Sequence, residues 1–274
     1  MHLGGLRWQY RNPTPEAFHD RPRLHHRIAL VTGGSRGLGR STVLSLAELG
    51  VPSIFTYHTN RAQADEVVAL LAQRGCRGIA LPLDSGDASS FDAFVARLPE
   101  AISTLGTDRI DFLVNNAGTS HHRPIESTTE AELDSLYAVH FKGVFLLTQK
   151  LLGLLRDGGR IVNVSSGLTR FAFPGSAAYA SMKGAVEVLT RYLAKELGPR
   201  GIAANTVAPG AIQTDFSGGM VRDNPEVNRI VAANTALGRA GVAEDIGPLI
   251  ASLLMSSHRW VNGQRIEASG GMIL

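Results

Sequence analysis

The stretch TGGSRGLG, Thr32–Gly39, lies between a short apolar run and a segment of helical periodicity. The run RIALVT, residues 27–32, is rich in branched apolar residues and predicts a buried strand. Glycines at positions 33, 37 and 39 allow a tight turn that a pyrophosphate can approach closely, and the following helix directs N–H groups toward an anion. This context predicts a phosphate or dinucleotide site; the alternative is a turn with a structural role only.

Short apolar runs continue to alternate with longer helix-like segments up to the C-terminus. The predicted strands cover residues 27–32, 52–57, 77–83, 110–116, 160–166, 202–209 and 261–268. The predicted helices cover residues 40–49, 63–73, 88–105, 130–155, 179–197 and 243–256. Such alternation is typical of an α/β chain with crossover helices. We therefore predict an α/β fold: a Rossmann-type, doubly wound, mostly parallel seven-stranded sheet with helices on both faces.

The domain organisation follows from the continuity of this alternation. No linker rich in proline, serine or charge divides residues 27–274, which are predicted to form a single dinucleotide-binding catalytic domain. Residues 1–26 precede it and are predicted to be a flexible N-terminal extension. Residues 215–235 mix turn formers with a short apolar stretch and are predicted to form an irregular lid over the substrate site.

Composition and charge exclude several classes of protein. With 44% hydrophobic and 19% charged residues among 274, the chain has the composition of a folded globular protein, which excludes disorder over most of its length. The net charge of +3 would suggest a polyanion partner, but residues 1–27 carry five arginines against two acids and account for all of it. Because the remainder is neutral, we predict no nucleic-acid partner.

Cysteine usage and hydropathy indicate the compartment. Cys76 is the single cysteine, which excludes an intramolecular disulfide and fits a reducing, cytoplasmic setting. The most apolar stretch, residues 144–155, contains Thr, Gln, Lys and Gly and is shorter than the roughly 20 apolar residues that span a bilayer. We predict a cytoplasmic protein without a membrane span. Adjacent histidines lack the spacing of metal ligands, so no metal site is predicted.

The residues after the second predicted strand indicate which dinucleotide would bind. Sites of this type choose their cofactor about 20 residues beyond the glycines, where an acid binds the ribose hydroxyl. The stretch YHTNR, residues 57–61, contains no acid, whereas Arg36, His58, Thr59 and Asn60 can hydrogen-bond a 2′-phosphate. The pattern favours NADP(H). The alternative is that Arg36 and Arg61 are ordinary solvated surface charges.

A tyrosine and a lysine four residues apart form a third motif, Tyr179 and Lys183, with Ser166 thirteen residues before the tyrosine. Positions i and i+4 share one face of a helix, so both side chains are expected to point into the same space. A nearby ammonium would lower the pKa of the phenol from its ordinary value of about 10. The pair therefore suits a proton donor, although such spacing is also common by chance.

Taken in order, these motifs resemble the short-chain dehydrogenase/reductase family, and in particular its NADPH-dependent 3-oxoacyl-carrier-protein-reductase-like members. The resemblance covers residues 27–274: TGGSRGLG, Asp84 after the third strand, NNAG at 115–118, Ser166, YASMK at 179–183 and PGAIQT at 209–214. Several spaced motifs in one order are more specific than any one of them. The family also implies a homotetramer or homodimer.

The resemblance implies a role for each matching residue. Tyr179 would be the general acid in carbonyl reduction and the base in alcohol oxidation; Lys183 would lower its pKa and bind the nicotinamide ribose; Ser166 would hydrogen-bond the substrate carbonyl. The implied cofactor contacts, together with those expected from the glycine turn and the second strand, are Gly33, Ser35, Arg36, Gly37, Leu38, Gly39, His58, Thr59, Asn60, Asp84, Ser85, Asn116, Ala117, Gly118, Tyr179, Lys183, Pro209, Gly210, Ile212 and Thr214.

One residue departs from the family's pattern. His140 stands in the stretch LYAVHFKGVF where the family's typical asparagine would complete a catalytic tetrad and hold a water joining the lysine to solvent. An imidazole also donates and accepts, and it titrates near neutral pH, so we hypothesise that His140 keeps the relay. The alternative is a packed helix histidine with the relay weakened or rerouted.

The sequence thus predicts an NADPH-dependent oxidoreductase that reduces a carbonyl to an alcohol reversibly, as a ketone or aldehyde reductase or an alcohol dehydrogenase. The alternative is a non-catalytic NADP(H)-binding regulator on the same fold. The small-molecule substrate is expected to be apolar or aromatic because the segments around the site carry Phe171, Phe173, Phe216 and Met220.

Overall fold

A single parallel sheet organises the part of the chain that the computed structural model describes, residues 27–274. Its strands are β1 Ala29–Val31, β2 Ser53–Tyr57, β3 Gly78–Pro82, β4 Ile110–Asn115, β5 Leu155–Val164, β6 Ala203–Pro209 and β7 Arg265–Ala268. They pair in the order β3-β2-β1-β4-β5-β6-β7, every pair parallel. The Rossmann-type, doubly wound, seven-stranded sheet predicted from sequence is confirmed. The predicted extension, residues 1–26, lies outside the described residues.

Helices cover both faces of this sheet. Their bounds are α1 Gly37–Glu48, α2 Arg61–Gln73, α3 Phe91–Thr104, α4 Glu130–Tyr137, α5 Gly143–Leu151, α6 Ala177–Glu196, α7 Met220–Asp223, α8 Pro225–Ala233 and α9 Ala243–Leu254. Leu46 of α1, Leu71 of α2 and Ile250 of α9 share one buried cluster, whereas Leu98 of α3 and Leu151 of α5 belong to the cluster on the opposite face. Strands covered on both sides explain the nearly continuous apolar runs in the sequence.

The helix predicted over residues 130–155 keeps a helical backbone throughout α4 and α5 but ends earlier than predicted. Helices α4 and α5 are separated by a π-helical turn, Ala138–Lys142, and α5 ends at Leu151. Strand β5 then begins at Leu155, before the predicted start at Arg160, because Leu155 pairs with Ile110 across a register shift in the β4–β5 ladder. Residues 156–159 have no partner in β4 and Gly158 has a φ of +79°, so this stretch is a bulge, and regular pairing begins at Arg160.

The segment at residues 215–235 also differs from its predicted irregular conformation. It begins with an irregular turn, Phe216–Gly219, in which Ser217 and Gly218 have left-handed φ angles of +56° and +65°, and only then forms α7 and α8. The Asn224 side chain caps α8 by accepting hydrogen bonds from the N–H groups of Glu226 at 3.0 Å and Val227 at 3.2 Å, and Pro225 occupies the first helical position. Asn-Pro is a sequence signal for a helix start, so this helix could have been predicted.

Across residues 27–274, no helix combines the length and the apolar character needed to cross a membrane.

A chain of buried polar side chains crosses the sheet and joins strands to the helices on one face. The Asn115 amide donates to Thr148 Oγ1 at 3.0 Å and to Asn163 Oδ1 at 2.8 Å. Asn163 in turn donates to Thr190 Oγ1 at 2.8 Å, and the Thr206 hydroxyl donates to the same oxygen at 3.0 Å. All five residues are buried. The network thereby links β4, β5 and β6 to α5 and α6.

Asn163→Ala is expected to destabilise the fold because it removes one buried hydrogen bond each from the Asn115 amide and the Thr190 hydroxyl and leaves a cavity between them. The expected loss in the free energy of unfolding is about 2 to 4 kcal/mol. Urea denaturation measures it, with the exposed Gln73→Ala as control, which should stay within about 0.5 kcal/mol of wild type. A loss below 0.5 kcal/mol for Asn163→Ala would show that the network adds little stability.

Candidate active site

The candidate site lies where the strands end. The glycine turn follows β1, His58 follows β2, Asp84 follows β3, Asn116 follows β4, Ser166 follows β5 and Gly210 follows β6. Because all strands are parallel, these segments meet at one edge of the sheet. The strand order reverses between β1 and β4, and ligands of open α/β sheets bind in the crevice at such a switch point. The sequence-predicted site residues are thereby collected along one crevice.

The glycine turn has the backbone geometry that its sequence predicts. Gly33 and Gly37 have φ angles of +66° and +53°, which favour glycine. A side chain at Gly39 would overlap the carbonyl oxygen of Gly33, so the helix start and the strand end approach closely only with glycine there. The Asn116 amide braces the turn by donating to the carbonyl oxygens of Thr32 at 2.9 Å and Gly33 at 3.1 Å.

The residues predicted to recognise a 2′-phosphate lie beside the turn at the ends of β2 and β3. Arg36, His58 and Thr59 are exposed. His58 lies 3.5 Å from the carboxylate of Asp84, which accepts a hydrogen bond from the Gly86 N–H at 2.8 Å. Asn60 differs from the prediction, since its side-chain oxygen caps α2 by accepting from the Gln63 N–H at 3.1 Å. Only its amide group is left to meet a ligand.

Tyr179, Lys183 and Ser166 come together as predicted. Tyr179 and Lys183 lie on the inner face of α6, both buried, with the lysine Nζ 5.6 Å from the centre of the phenol ring. The Lys183 ammonium donates to the carbonyl oxygen of Val164 at 2.8 Å. Ser166 lies two residues after β5, and its hydroxyl accepts from the Leu168 N–H at 3.2 Å and also interacts with the Tyr179 hydroxyl. The hydroxyls of Ser166 and Tyr179 and the amine of Lys183 therefore lie together in one buried cluster.

Burial affects the protonation of both groups. It raises the pKa of Tyr179 above its ordinary value, and the hydrogen bond with Ser166 offsets only part of that effect. Burial also lowers the pKa of Lys183 to about 7, because a low-dielectric surrounding disfavours either charge. The lowering of the Tyr179 pKa by Lys183 stays a prediction.

His140 is buried in the π-helical turn, with its ring edge-on to Tyr179 at 5.1 Å between centroids. Its Nε2 lies 2.6 Å from the carbonyl oxygen of Thr119 and 3.3 Å from the Thr119 N–H. The shorter distance assigns the proton to Nε2, which donates to the carbonyl, and leaves Nδ1 as an acceptor without a hydrogen-bond partner among residues 27–274. Burial, together with the charge of Lys183, lowers the pKa of His140 to about 3.

Burial therefore favours a neutral imidazole over a titrating one, and the relay role of His140 stays a prediction. Its hydrogen bond joins the π-helical turn to the loop after β4, and Gly118 packs against its ring with no room for a side chain. The sequence pattern identifies His140 as unusual, whereas its pKa depends on the burial that the fold imposes.

The segment after β6 closes the far side of the crevice. Thr214 lies against Gly37 of the glycine turn, and the Phe216 ring lies 5.8 Å from the ring of Tyr179. The Ser217 hydroxyl contacts the Ser120 hydroxyl at 2.6 Å, which joins the segment to the loop after β4. Phe216 is 39% exposed, and Phe173 and Met220, in the segments after β5 and β6, are exposed as well.

Two contributions to the site were missed from the sequence. The Thr32 hydroxyl accepts the N–H groups of Asn116 at 2.9 Å and Ala117 at 3.0 Å, which ties β1 to β4 across the switch point. Glu187 of α6 holds the residues on both sides of Ser166. The spacing of Glu187, four residues beyond Lys183, is a signal that could have indicated it.

Comparisons with known proteins agree with this geometry. The family described as Enoyl-(Acyl carrier protein) reductase matches residues 33–273. The hydroxynaphthalene reductase-like protein Arp2 of Metarhizium brunneum is 35% identical over 262 residues, covering 91% of this chain and 96% of the relative.

Solved structures match as well. One is the promiscuous reductase LugOII, which catalyses keto-reduction at C1 during lugdunomycin biosynthesis, with a TM-score of 0.87 and 40% identity over 92% of this chain and 100% of its own. Another is the angucycline C-6 ketoreductase LanV with bound NADP, with a TM-score of 0.84 and 33% identity over 91% of this chain and 96% of its own. The chain therefore belongs to the short-chain dehydrogenase/reductase family of oxidoreductases.

Proposed function

We propose that this protein reduces a ketone or aldehyde to an alcohol with NADPH, with Tyr179 as the proton donor. The observation that carries the proposal is the buried cluster of Tyr179, Ser166 and Lys183 beside a glycine turn at the switch point. A phenol whose pKa is raised stays protonated at neutral pH. A protonated phenol can donate its proton to the oxygen of the carbonyl as it is reduced.

The residues at the crevice fit a dinucleotide phosphate. The close approach of Gly33 and Gly39 leaves a cradle without side chains at the start of α1, where backbone N–H groups favour an anion. Arg36 is exposed within this turn, and His58 and Thr59 are exposed beside it. NADP bound in the ketoreductase LanV supports the same cofactor here. When bound, the nicotinamide supplies the hydride.

The protein's own residues supply the rest of the chemistry. The Ser166 hydroxyl would hydrogen-bond the substrate carbonyl oxygen and stabilise the charge that develops there. The Tyr179 hydroxyl would transfer its proton to that oxygen. Lys183, held by the Val164 carbonyl, would contact the nicotinamide ribose and supply positive charge near the phenol. His140 would act as a neutral positioning residue that holds Thr119 and the π-helical turn beside Tyr179.

The substrate proposed for this site is an apolar or aromatic carbonyl compound. Phe173, Phe216 and Met220, in the segments after β5 and β6, expose apolar surface, and Phe216 contacts the phenol ring itself. The relatives named as a hydroxynaphthalene reductase-like protein and an angucycline ketoreductase support an aromatic ketone. We propose that residues 215–235, with α7 and α8, act as the lid over this substrate.

Assembly and location stay predictions. The outer side of α4 and α5 carries a row of stacked rings, Tyr137, Phe141 and Phe145, of which Tyr137 and Phe145 are more than two-fifths exposed. Such a row supports the predicted homotetramer or homodimer, since large exposed apolar patches mark association surfaces. The cytoplasmic location is supported only by the cysteine content.

Tyr179→Phe tests the proposed function. Removal of the hydroxyl is expected to lower kcat about 10²- to 10⁴-fold because it removes the proton donor. The measurement is NADPH consumption with a panel of aromatic ketones, quinones and acyl thioesters, and the control is Tyr192→Phe, an exposed tyrosine of the same helix. Equal activity of Tyr179→Phe and wild type would contradict the mechanism. Tight NADPH binding by a wild-type protein that reduces none of the panel would favour the regulator.

Arg36→Ala tests the choice of cofactor. Loss of a charge-assisted hydrogen bond to the 2′-phosphate is expected to weaken NADPH binding about 10- to 100-fold and to leave NADH binding unchanged. Fluorescence titration of both nucleotides measures the two Kd values. Arg40→Ala is the control, because Arg40 is exposed on the same helix outside the turn. A parallel loss for NADPH and NADH would contradict phosphate recognition by Arg36.

His140→Asn tests the protonation state of His140. A folded-state pKa of about 3 lies below the ordinary 6.5, so the unfolded chain binds more protons between these values and stability falls with falling pH. From pH 6.5 to 5 this one group should remove about 2 kcal/mol of unfolding free energy, which His140→Asn would not lose.

Urea denaturation at several pH values measures the two slopes. His258→Asn, a substitution at a partly exposed histidine after α9, should keep the wild-type slope. If wild type and His140→Asn lose the same stability on acidification, the histidine is not buried as a neutral group.

A further inference from the structure

Glu187 lies one helical turn beyond Lys183 on the face of α6 that carries Tyr179. One of its carboxylate oxygens, Oε1, accepts hydrogen bonds from the Ser165 hydroxyl at 2.7 Å and the Thr169 hydroxyl at 2.7 Å. Ser165 precedes Ser166, and Thr169 ends the 3₁₀ turn, Gly167–Thr169, that follows it. A single oxygen atom thereby ties both sides of Ser166 to the helix that carries the tyrosine.

Arg265 of β7 holds the same turn from the opposite side. Its guanidinium donates to Glu187 Oε1 at 2.9 Å, to the Thr169 hydroxyl at 3.1 Å and to the backbone carbonyl of Ser166 at 3.3 Å. A third donor of the group reaches Glu267 at 2.9 Å. Because the guanidinium is planar and rigid, these contacts set the position of the Ser166 backbone more strictly than a lysine could.

The side chains that form this arrangement are partly protected from solvent. The Glu187 side chain is 13% exposed and that of Arg265 is 25% exposed. An ion pair at this depth is less screened than one at the surface. The network continues outward, because Arg170 donates to Glu267 at 2.7 Å and to the carbonyl oxygens of Met272 and Ile273.

Ser166 needs such external support. The turn after it has only three residues, and short 3₁₀ turns have poor hydrogen-bond geometry of their own. Within its own turn, the Ser166 hydroxyl accepts one hydrogen bond, from the Leu168 N–H at 3.2 Å. Reacting groups must be held within about half an ångström of their working geometry, and a displacement of about 1 Å costs rate steeply.

We propose that Glu187 and Arg265 are positioning residues for the reduction, which act by fixing Ser166 against Tyr179. The inference rests on the proposed function, in which Ser166 binds the substrate carbonyl. Neither residue touches the reacting atoms. Their effect on rate passes through the Ser166 hydroxyl, so it exists only while that hydroxyl is present.

A double-mutant cycle tests this dependence. Glu187→Ala is expected to lower kcat about 10- to 100-fold in the wild-type background, with the Kd for NADPH unchanged. In a Ser166→Ala background the same substitution should change kcat less than about twofold, because the group it positions is already absent. Glu196→Ala, an exposed glutamate of the same helix, is the matched control and should leave kcat unchanged.

Conservative variants keep the test valid if Glu187→Ala unfolds. Glu187→Gln retains an oxygen that accepts from Ser165 and Thr169, so it should recover most of the rate. Arg265→Met removes the donors to Ser166 and should lower kcat as Glu187→Ala does. Thermal unfolding of each variant identifies loss of the folded protein.

Two outcomes overturn the inference: wild-type kcat in Glu187→Ala, or an equal loss of kcat in both backgrounds, which would indicate a general structural role. Failure of the proposed function is a separate result, because it would leave Tyr179→Phe and Ser166→Ala as active as wild type.

Discussion

The contact between the ends of β1 and β4 is the constraint on which the crevice depends. These strands are sequence-distant neighbours at the point where the strand order reverses, and their connections leave in opposite directions. The Thr32 hydroxyl accepts two N–H groups from Asn116 and Ala117, while the Asn116 amide donates to Thr32 and Gly33. This reciprocal set joins the glycine turn to the loop after β4. These hydrogen bonds hold the backbone of the glycine turn in place.

Burial is the second determinant, because it sets the charge of every titratable group at the candidate centre. Loss of solvation raises the pKa of Tyr179 and lowers those of Lys183, to about 7, and of His140, to about 3, to which the charge of Lys183 also contributes. Lys183 is therefore the one of the three that carries charge near neutral pH. Outside this group, Glu187 and Arg265 form an ion pair beside the turn that follows Ser166.

Local patterns predicted most elements and the composition of the site, and they failed where distant contacts decide the outcome. Regular pairing of β5 starts at Arg160, as the local pattern predicts, but Leu155 joins the sheet only because Ile110 of β4 pairs with it across a bulge. The helix predicted over residues 130–155 continues through a π-helical turn but ends at Leu151, because Leu155 belongs to β5. Helix α8 differs, since its Asn-Pro start is a local signal.

The sequence by itself determined the order of strands, turns and helices, the glycines that permit the cradle, and the i, i+4 placement of Tyr179 and Lys183 on one helical face. These features depend on backbone conformation and on spacing within a few residues. The tertiary structure alone decided the protonation of Tyr179, Lys183 and His140 and the pairing of Glu187 with Arg265, which are 78 residues apart. Solvation and long-range pairing depend on which distant segments surround a side chain, and no local pattern contains that information.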